Sequence, residues 1–495
     1  MENHHITAIL LPSWGHTISY CYLVTSCLQK DPTLVVTIVQ HNLLLPRMED
    51  ALKTCKYDSM RLRIIGVGGQ SFIQFAEALE QLVDGWKTVI IQLCDGSDKW
   101  PKPHALHGSR PSLIIFQMDS LVGGLVIEHT KEIIGPDCKI LSWFSMVLAF
   151  MSDFLDEDEI PDGTQQENTS DQVVGAWKGS GDFSGRILKF PGVPDMYDHE
   201  RFAYGAPQPA GAVQNFPAHL KFARAVDGYI VPTSVCVEPV GVPYIRDLLQ
   251  KQGKQLFAVG PQALCWMDTA PVVLTQQVVK SFLEDSVTRY GSKSVLYISF
   301  GSIFFPVATP ELVAALVDTL MALEESFPFI FALGSEMASI SKDVIERVNS
   351  SGKGLICDFW VEQRAILQHG AVGWFLTHGG YNSISEALSQ GIPLIVWPIC
   401  SEQPINAALF SSGPDAVAIE LMQIRAGAQR APSLRGGPPI TGTVEDASVE
   451  FKAVFAAARG ARGAVLKDNA TKMARALRAA LAGELEDALV QLVKF

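Results

Sequence analysis

Short apolar runs rich in Val, Ile and Leu recur along the first half of the chain. They lie at residues 7–12 (TAILLP), 34–40 (LVVTIVQ), 62–67 (LRIIGV), 112–116 (SLIIF) and 138–143 (CKILSW). Such runs read as parallel strands buried on both faces. Longer amphipathic stretches separate them, residues 71–94 for example, and the rhythm is that of β-α-β units in an open parallel sheet. Residues 154–200 break it. DEDEIPDGTQQENTSD is acidic and polar, and KFPGVPDMYDHERF is dense in turn formers, which predicts a long insertion or loop. After DGYIVPTS and LFAVGPQ, residues 263–290 read as a linker. The alternation then restarts with SVLYISFGS, a helix over 310–325 opened by Pro310, PFIFALG, GLICDFW, VGWFLTH and PLIVWP. Residues 426–442 (AGAQRAPSLRGGPPITG) read as a loop before the final helices.

The expected organisation is therefore an N-terminal domain over 1–262, a linker over 263–290 and a C-terminal domain over 291–480. A terminal helix over 481–495 is expected to pack back on the N-terminal domain. Both domains are expected to be α/β, with Rossmann-like, doubly wound parallel sheets facing across a cleft. Sheets of this kind bind ligands beyond the carboxyl ends of their strands.

A length of 495 residues exceeds what one compact core sustains, in keeping with two domains. A formal net charge of -13 argues against a nucleic-acid partner. It leaves room for a small anionic ligand, because helix N-termini hold phosphate without lysine or arginine. The nine cysteines form no C-x-x-C pair, and read as reduced, mostly buried thiols of a cytoplasmic protein without a metal site. The first residues, MENHHITAILLPSWGH, lack the basic and apolar regions of a signal peptide, and no apolar window is long enough to suggest a stable membrane span.

The richest chemistry lies between Phe359 and Asn406. In FLTHGGYNSISEAL (375–388) a strand-like run gives way to His378, Gly379, Gly380, Asn382 and Ser383, and then to a helical pattern. Asn382 and Ser383 read as N-caps of that helix, whose free N–H groups and dipole make an anion site. The two glycines let the backbone approach a ligand closely. Glu386, four residues after Asn382, is placed to accept from a ribose diol. Trp360, at a strand end, offers a flat face to a base. Glu402 and Gln403, at another helix start, suit sugar hydroxyls.

Taken together, Trp360, Gln363, His378, Gly379, Asn382, Ser383, Glu386, Pro393, Pro398, Glu402 and Gln403 resemble the C-terminal signature of the family 1 UDP-dependent glycosyltransferases. YISFGS (297–302), VGP (259–261) and LPSWGH (11–16) extend the resemblance over nearly the whole chain, and AIELMQIRAG looks most like fungal members. The resemblance implies the GT-B fold, with the UDP-sugar held mainly in the C-terminal domain. Trp360 would stack on uracil and Glu386 bind ribose. His378, Asn382, Ser383 and Ser302 would hold the diphosphate, and Glu402 and Gln403 the sugar. A glutamine at the end of this signature goes with UDP-glucose, whereas Tyr381 departs from the tryptophan of plant members.

His16 ends LPSWGH just after the first apolar run and is the candidate general base. An unperturbed histidine, with a pKa of about 6.5, is available as a neutral base at cellular pH. His4, His5 and His104 read as structural. The family carries an aspartate near the end of an N-terminal strand to orient this histidine. Here the strand reads PSLIIFQMDSLVGG, with Gln117 at the expected place and Asp119 two residues later. Asp119 is the favoured partner of His16 and Gln117 the alternative. The expected reaction is metal-independent, inverting transfer of glucose from UDP-glucose, a co-substrate rather than a cofactor, to a hydroxyl of a small apolar acceptor. The protein is expected to be a monomer. Residues 143–154 and the helix at 71–94 are candidate walls of the acceptor site. A UDP-sugar-binding sensor or partner subunit without transfer activity is the rival reading. A NAD-dependent dehydrogenase fails for want of G-x-G-x-x-G after the first strand.

Overall fold

The computed structural model describes residues 4–70, 75–97, 99–100, 111–117, 123–155, 183, 185–201, 216–267 and 274–495. Its strands, in chain order, are β1 (His4–Ile9), β2 (Leu34–His41), β3 (Leu62–Val67), β4 (Leu113–Gln117), β5 (Lys139–Trp143), β6 (Ile187–Leu188), β7 (Met196–Tyr197), β8 (Gly228–Val231), β9 (Gln255–Ala258), β10 (Val295–Ser299), β11 (Phe329–Ala332), β12 (Gly354–Cys357), β13 (Val372–Thr377), β14 (Leu394–Val396) and β15 (Ala418–Glu420).

The chain divides into two units. The first comprises Met1–Lys178, Pro209–Ala270 and Ala479–Phe495. Its seven strands pair in the order β3-β2-β1-β4-β5-β8-β9, all parallel. The chain runs outward from β1 through β2 to β3, then returns to place β4 on the other side of β1. The topological switch point therefore lies between β1 and β4, where sheets of this type open a crevice for ligands. Ile6, Ala8, Val36, Ile38, Ile115 and Leu141 pack with Leu489, Leu492 and Val493 of the helix Glu484–Lys494 into one core. Gly260, with φ of 73°, lets Leu485 of that helix approach, since a Cβ there would stand 2.4 Å from Leu485 Cδ1.

The second unit comprises Gly179–Gln208 and Pro271–Arg478. Its six parallel strands pair in the order β12-β11-β10-β13-β14-β15, and β6 and β7 form a separate antiparallel pair. The same winding puts its switch point between β10 and β13. Leu296, Ile298, Phe331, Trp374, Ile395 and Trp397 build its core, covered by Leu312 and Leu316 of the helix Pro310–Ala322 and by Phe451 and Phe455 of the helix Val444–Arg459.

Several expectations need correction. The described residues 185–201 pack in the second unit, although contiguity in sequence puts them in the first. The buried Glu200 carboxylate explains this: it accepts from the Leu434 N–H at 2.8 Å and the Ser433 hydroxyl, and faces Arg435 at 3.9 Å, because a carboxylate leaving water needs such partners. Residues 263–290 are no bare linker, since Gln262–Met267 and Gln277–Tyr290 are helices, the second burying Val279 and Leu283. The helix expected over 71–94 is described as Phe75–Asp95. Of the eight cysteines whose side chains are described, only Cys21, Cys27 and Cys357 are buried. Among the described residues no helix is long and apolar enough to cross a membrane.

Candidate functional site

At the second switch point, the fully buried Thr377 ends β13, and His378, Gly379 and Gly380 turn the chain into the helix Tyr381–Ser389. Gly379 has φ of 87°, a region that favours glycine, and a Cβ there would lie 2.7 Å from Val396 Cγ1. Gly380 is the N-cap and has no side chain to bond the first amides of the helix. Asn382 and Ser383 are thus not caps but the second and third helical residues, displaced from that role by Gly380. Their polar side chains flank the first N–H groups of the helix, on the positive end of the helix dipole. The Tyr381 amide already meets a negative group, the buried carboxylate of Glu402. Asn406, which the sequence does not single out, fixes the turn by donating from Nδ2 to the Gly379 carbonyl at 2.7 Å. Only its place one turn after Glu402 and Gln403 hints at this.

The His378 ring fills a slot that two glycines leave open. A Cβ at Gly301 would stand 2.8 Å from Cε1, and one at Gly380 would stand 2.5 Å from Nε2. The ring is 7% exposed, its Nδ1 is 3.3 Å from Thr377 Oγ1, and burial pushes the imidazole down to about 4, so it is neutral at cellular pH. Gly301, with φ of 81°, turns the chain after β10 and is followed by Ser302. Ser302 and His378 therefore follow the two strands that flank the switch point.

Trp360, three residues past β12, is 42% exposed, a large aromatic side chain at the surface of the second unit. Gln363 begins the helix Gln363–Gln368 and links two groups: its Oε1 accepts from the Tyr297 hydroxyl at 3.3 Å, and its Nε2 donates to Glu386 Oε2 at 2.8 Å. The carboxylate of Glu386 is thereby oriented through its Oε2. Burial raises its pKa, against the opposing pull of Arg364.

After β14, the chain turns through Ser401, a non-glycine residue at φ of 58°, into Glu402 and the helix Gln403–Ser411. Burial raises the Glu402 carboxyl. Gln403 corrects a sequence expectation. It is 1% exposed, and its Oε1 already accepts from the Ile399 and Cys400 amides at 2.8 and 2.9 Å. Its Nε2 donates to Cys400 Sγ at 4.0 Å. The turn after β14 needs its own amides satisfied, and the nearest carbonyl oxygen does it.

In the first unit, His16 is the third residue of the helix Trp14–Lys30, which begins at the loop after β1. Gln40 on β2 holds that loop, donating from Nε2 to the Leu11 carbonyl at 3.0 Å and to Thr17 Oγ1 at 2.8 Å; Thr17 donates in turn to Ser13 O at 2.8 Å. His16 is partly buried, its Nδ1 lies 2.6 Å from Ser145 Oγ, and loss of water pushes the ring down to about 4. Asp119 lies outside the described residues, and so does the side chain of Gln117 at the end of β4. Buried His5 and partly buried His4 are structural, with Nε2 at 2.9 Å from Thr37 Oγ1 and Nδ1 at 3.1 Å from Val493 O; His104 is outside the described residues. Trp143, Met146, Phe150 and Met151 are buried, packed as core rather than open as an acceptor wall. Among the described residues no group of three or more His, Cys, Asp or Glu side chains is placed to hold a metal ion.

Residues 273–427 match the family described as UDP-glucoronosyl and UDP-glucosyl transferase. The UDP-glycosyltransferase eriJ of Hericium erinaceus is 32% identical over 311 residues, which cover 60% of this chain and 59% of that protein. Nuatigenin 3-beta-glucosyltransferase of Solanum aculeatissimum is 44% identical over 118 residues, 24% of this chain and 23% of that protein. The matched stretches thus span less than two thirds of these relatives. Among solved structures, Medicago truncatula UGT71G1 complexed with UDP-glucose superposes with a TM-score of 0.71 at 18% identity, over 99% of this chain and 98% of that one. The fold is GT-B, built from two Rossmann-like units.

Proposed function

We propose that this chain, whose residues 273–427 match the UDP-glycosyltransferase family, transfers glucose from UDP-glucose to a hydroxyl of a small apolar acceptor. One observation carries the reading: the N-terminus of the helix Tyr381–Ser389, with Asn382 and Ser383 in its first turn, stands beside a neutral, slotted His378 at the switch point of the second unit. Uracil stacks on Trp360, the ribose diol bonds to Glu386 as Gln363 presents it, and the sugar meets Glu402 and the Nε2 of Gln403. Ser302, His378 and the side chains and amides of Asn382 and Ser383 hold the diphosphate. As the glycosidic bond breaks, negative charge grows on the phosphate oxygen, where these fixed donors already point.

His16 is the general base. A neutral imidazole accepts the acceptor's proton while the hydroxyl oxygen attacks the anomeric carbon from the face opposite UDP, so an α-linked donor gives a β-glucoside. Such a base is worth about 10²–10⁴-fold in rate. Asp119 is the sequence's candidate for offsetting the charge on the protonated ring. One observation favours a second reading, a UDP-sugar-binding protein without transfer: an imidazole at about 4 is a weak base.

Mass spectrometry of pooled sterol, terpenoid and phenol acceptors incubated with the protein and UDP-glucose separates the two. Transfer predicts acceptors heavier by one hexose, with matching release of UDP and a β-linkage by NMR. Tight binding of UDP-glucose with no adduct on any acceptor would favour the second reading.

A further inference from the structure

We propose that Ser145 is the positioning residue of His16: its Oγ accepts the Nδ1–H, fixes the ring in that tautomer and leaves Nε2 bare to take the acceptor's proton. This rests on the reading of His16 as general base.

The contact joins residues 129 apart in sequence at 2.6 Å, at the short end for a nitrogen–oxygen hydrogen bond. Ser145 is 2% exposed, so its hydroxyl has no ready exchange with water. Both partners sit on pinned backbone. The loop between β5 and the helix Leu148–Leu155 is held at one end by Phe144 N–H to Ile230 O at 2.9 Å. At the other, the Ala149 N–H donates to Glu238 Oε2 at 3.2 Å. Opposite it, Gln40 and Thr17 fix the loop that delivers His16. The fold therefore holds the two backbones that carry the pair.

Among the described residues no carboxylate is hydrogen-bonded to His16, and the Ser145 hydroxyl is the group on its Nδ1. A hydroxyl oxygen does one of the two things a carboxylate does. It selects the tautomer by accepting from Nδ1–H, but it carries no charge to offset an imidazolium. A hydroxyl that instead donated to Nδ1 would leave the proton on Nε2, and the base would be blocked. The two arrangements have opposite nitrogen signatures.

The test uses the full-length protein labelled with ¹⁵N, with the His16 ring nitrogens assigned by difference from His16→Gln. At neutral pH the expected spectrum shows a protonated Nδ1 and a bare Nε2. Ser145→Ala should give a mixture of tautomers and lower kcat about tenfold to a hundredfold, less than loss of the base itself. KM for UDP-glucose and UDP affinity should stay unchanged, and Ser145→Thr should restore both tautomer and rate. A proton on Nε2 in the wild type would overturn the proposal, as would Ser145→Ala with tautomer and kcat both unaltered. Asp119→Asn scrambling the tautomer while Ser145→Ala does not would hand the role to Asp119. The spectra report on Ser145 whether or not sugar is transferred, so this inference and the proposed reaction can fail separately.

Discussion

Each unit sets a histidine beside its switch point, and burial pushes both rings down to about 4. What surrounds them differs. His378 lies in a slot between Gly301 and Gly380, 3.3 Å from Thr377 Oγ1 and beside the Phe304 ring, at the N-terminus of the helix that carries Asn382 and Ser383. His16 has one short contact on Nδ1, from Ser145, and among the described residues no hydrogen bond on Nε2. The first arrangement gathers many donors and suits an anion that is held. The second presents a single lone pair and suits a proton that moves. The same fold position and the same desolvation thus support different chemistry, decided by what the loops bring to the ring.

The largest effect expected from this contrast is on turnover. His16→Ala should lower kcat by about 10²–10⁴-fold and leave UDP affinity unchanged. Wild-type turnover in that variant, measured by UDP release, would remove His16 from the base role.

Next comes stability against pH. Both rings hold a folded pKa of about 4 against 6.5 in the unfolded chain. Below 6.5 the unfolded chain takes up protons that the folded rings refuse, so stability should fall as pH drops from 6.5 towards 4 and level off below. The upper bound is on the order of 3 kcal/mol per ring, at about 1.4 kcal/mol for each pH unit between the two values. Urea titrations of His16→Gln and His378→Gln should each show a shallower fall than the wild type. Equal slopes would mean that the rings are not desolvated.

Smaller again is Trp360→Ala. Loss of a base-stacking face worth about 1–3 kcal/mol should weaken UDP roughly tenfold to a hundredfold, without altering the preference for UDP-glucose over UDP. Glu402→Gln should do the reverse, modestly. It removes a buried negative charge from the helix end proposed to hold the diphosphate, so UDP should bind as well or slightly better while the advantage of UDP-glucose shrinks. Calorimetry with both ligands distinguishes them, and parallel losses in the Glu402 variant would place its carboxylate on the nucleotide instead of the sugar.

The alternating apolar runs make both sheets legible, because parallel strands covered on both faces cannot hide their composition. β15 leaves little trace in sequence because it has only three residues, one of them Glu420, whose carboxylate is buried by Arg425 and Arg435 at 2.8 and 2.7 Å. The helix Gln277–Tyr290 reads as linker because it buries only Val279, Leu283 and Ser286, too thin a stripe to stand out. At the site, residue types and spacing point to a nucleotide, but not to the division of labour among them. That Gly380 rather than Asn382 caps the helix, or that Gln403 spends its carbonyl on Ile399 and Cys400, depends on the path of the loops. Ser145 is invisible in sequence, since a lone serine after a strand belongs to no pattern until the fold brings it to His16.

The most direct test of this account is a calorimetric titration of UDP into the wild type, His378→Ala and His16→Ala side by side. UDP should bind the wild type and His16→Ala alike and bind His378→Ala much more weakly, because the anion site belongs to the second unit alone. Undiminished binding to His378→Ala, or equal weakening in both variants, would contradict the assignment of the diphosphate to the turn after β13.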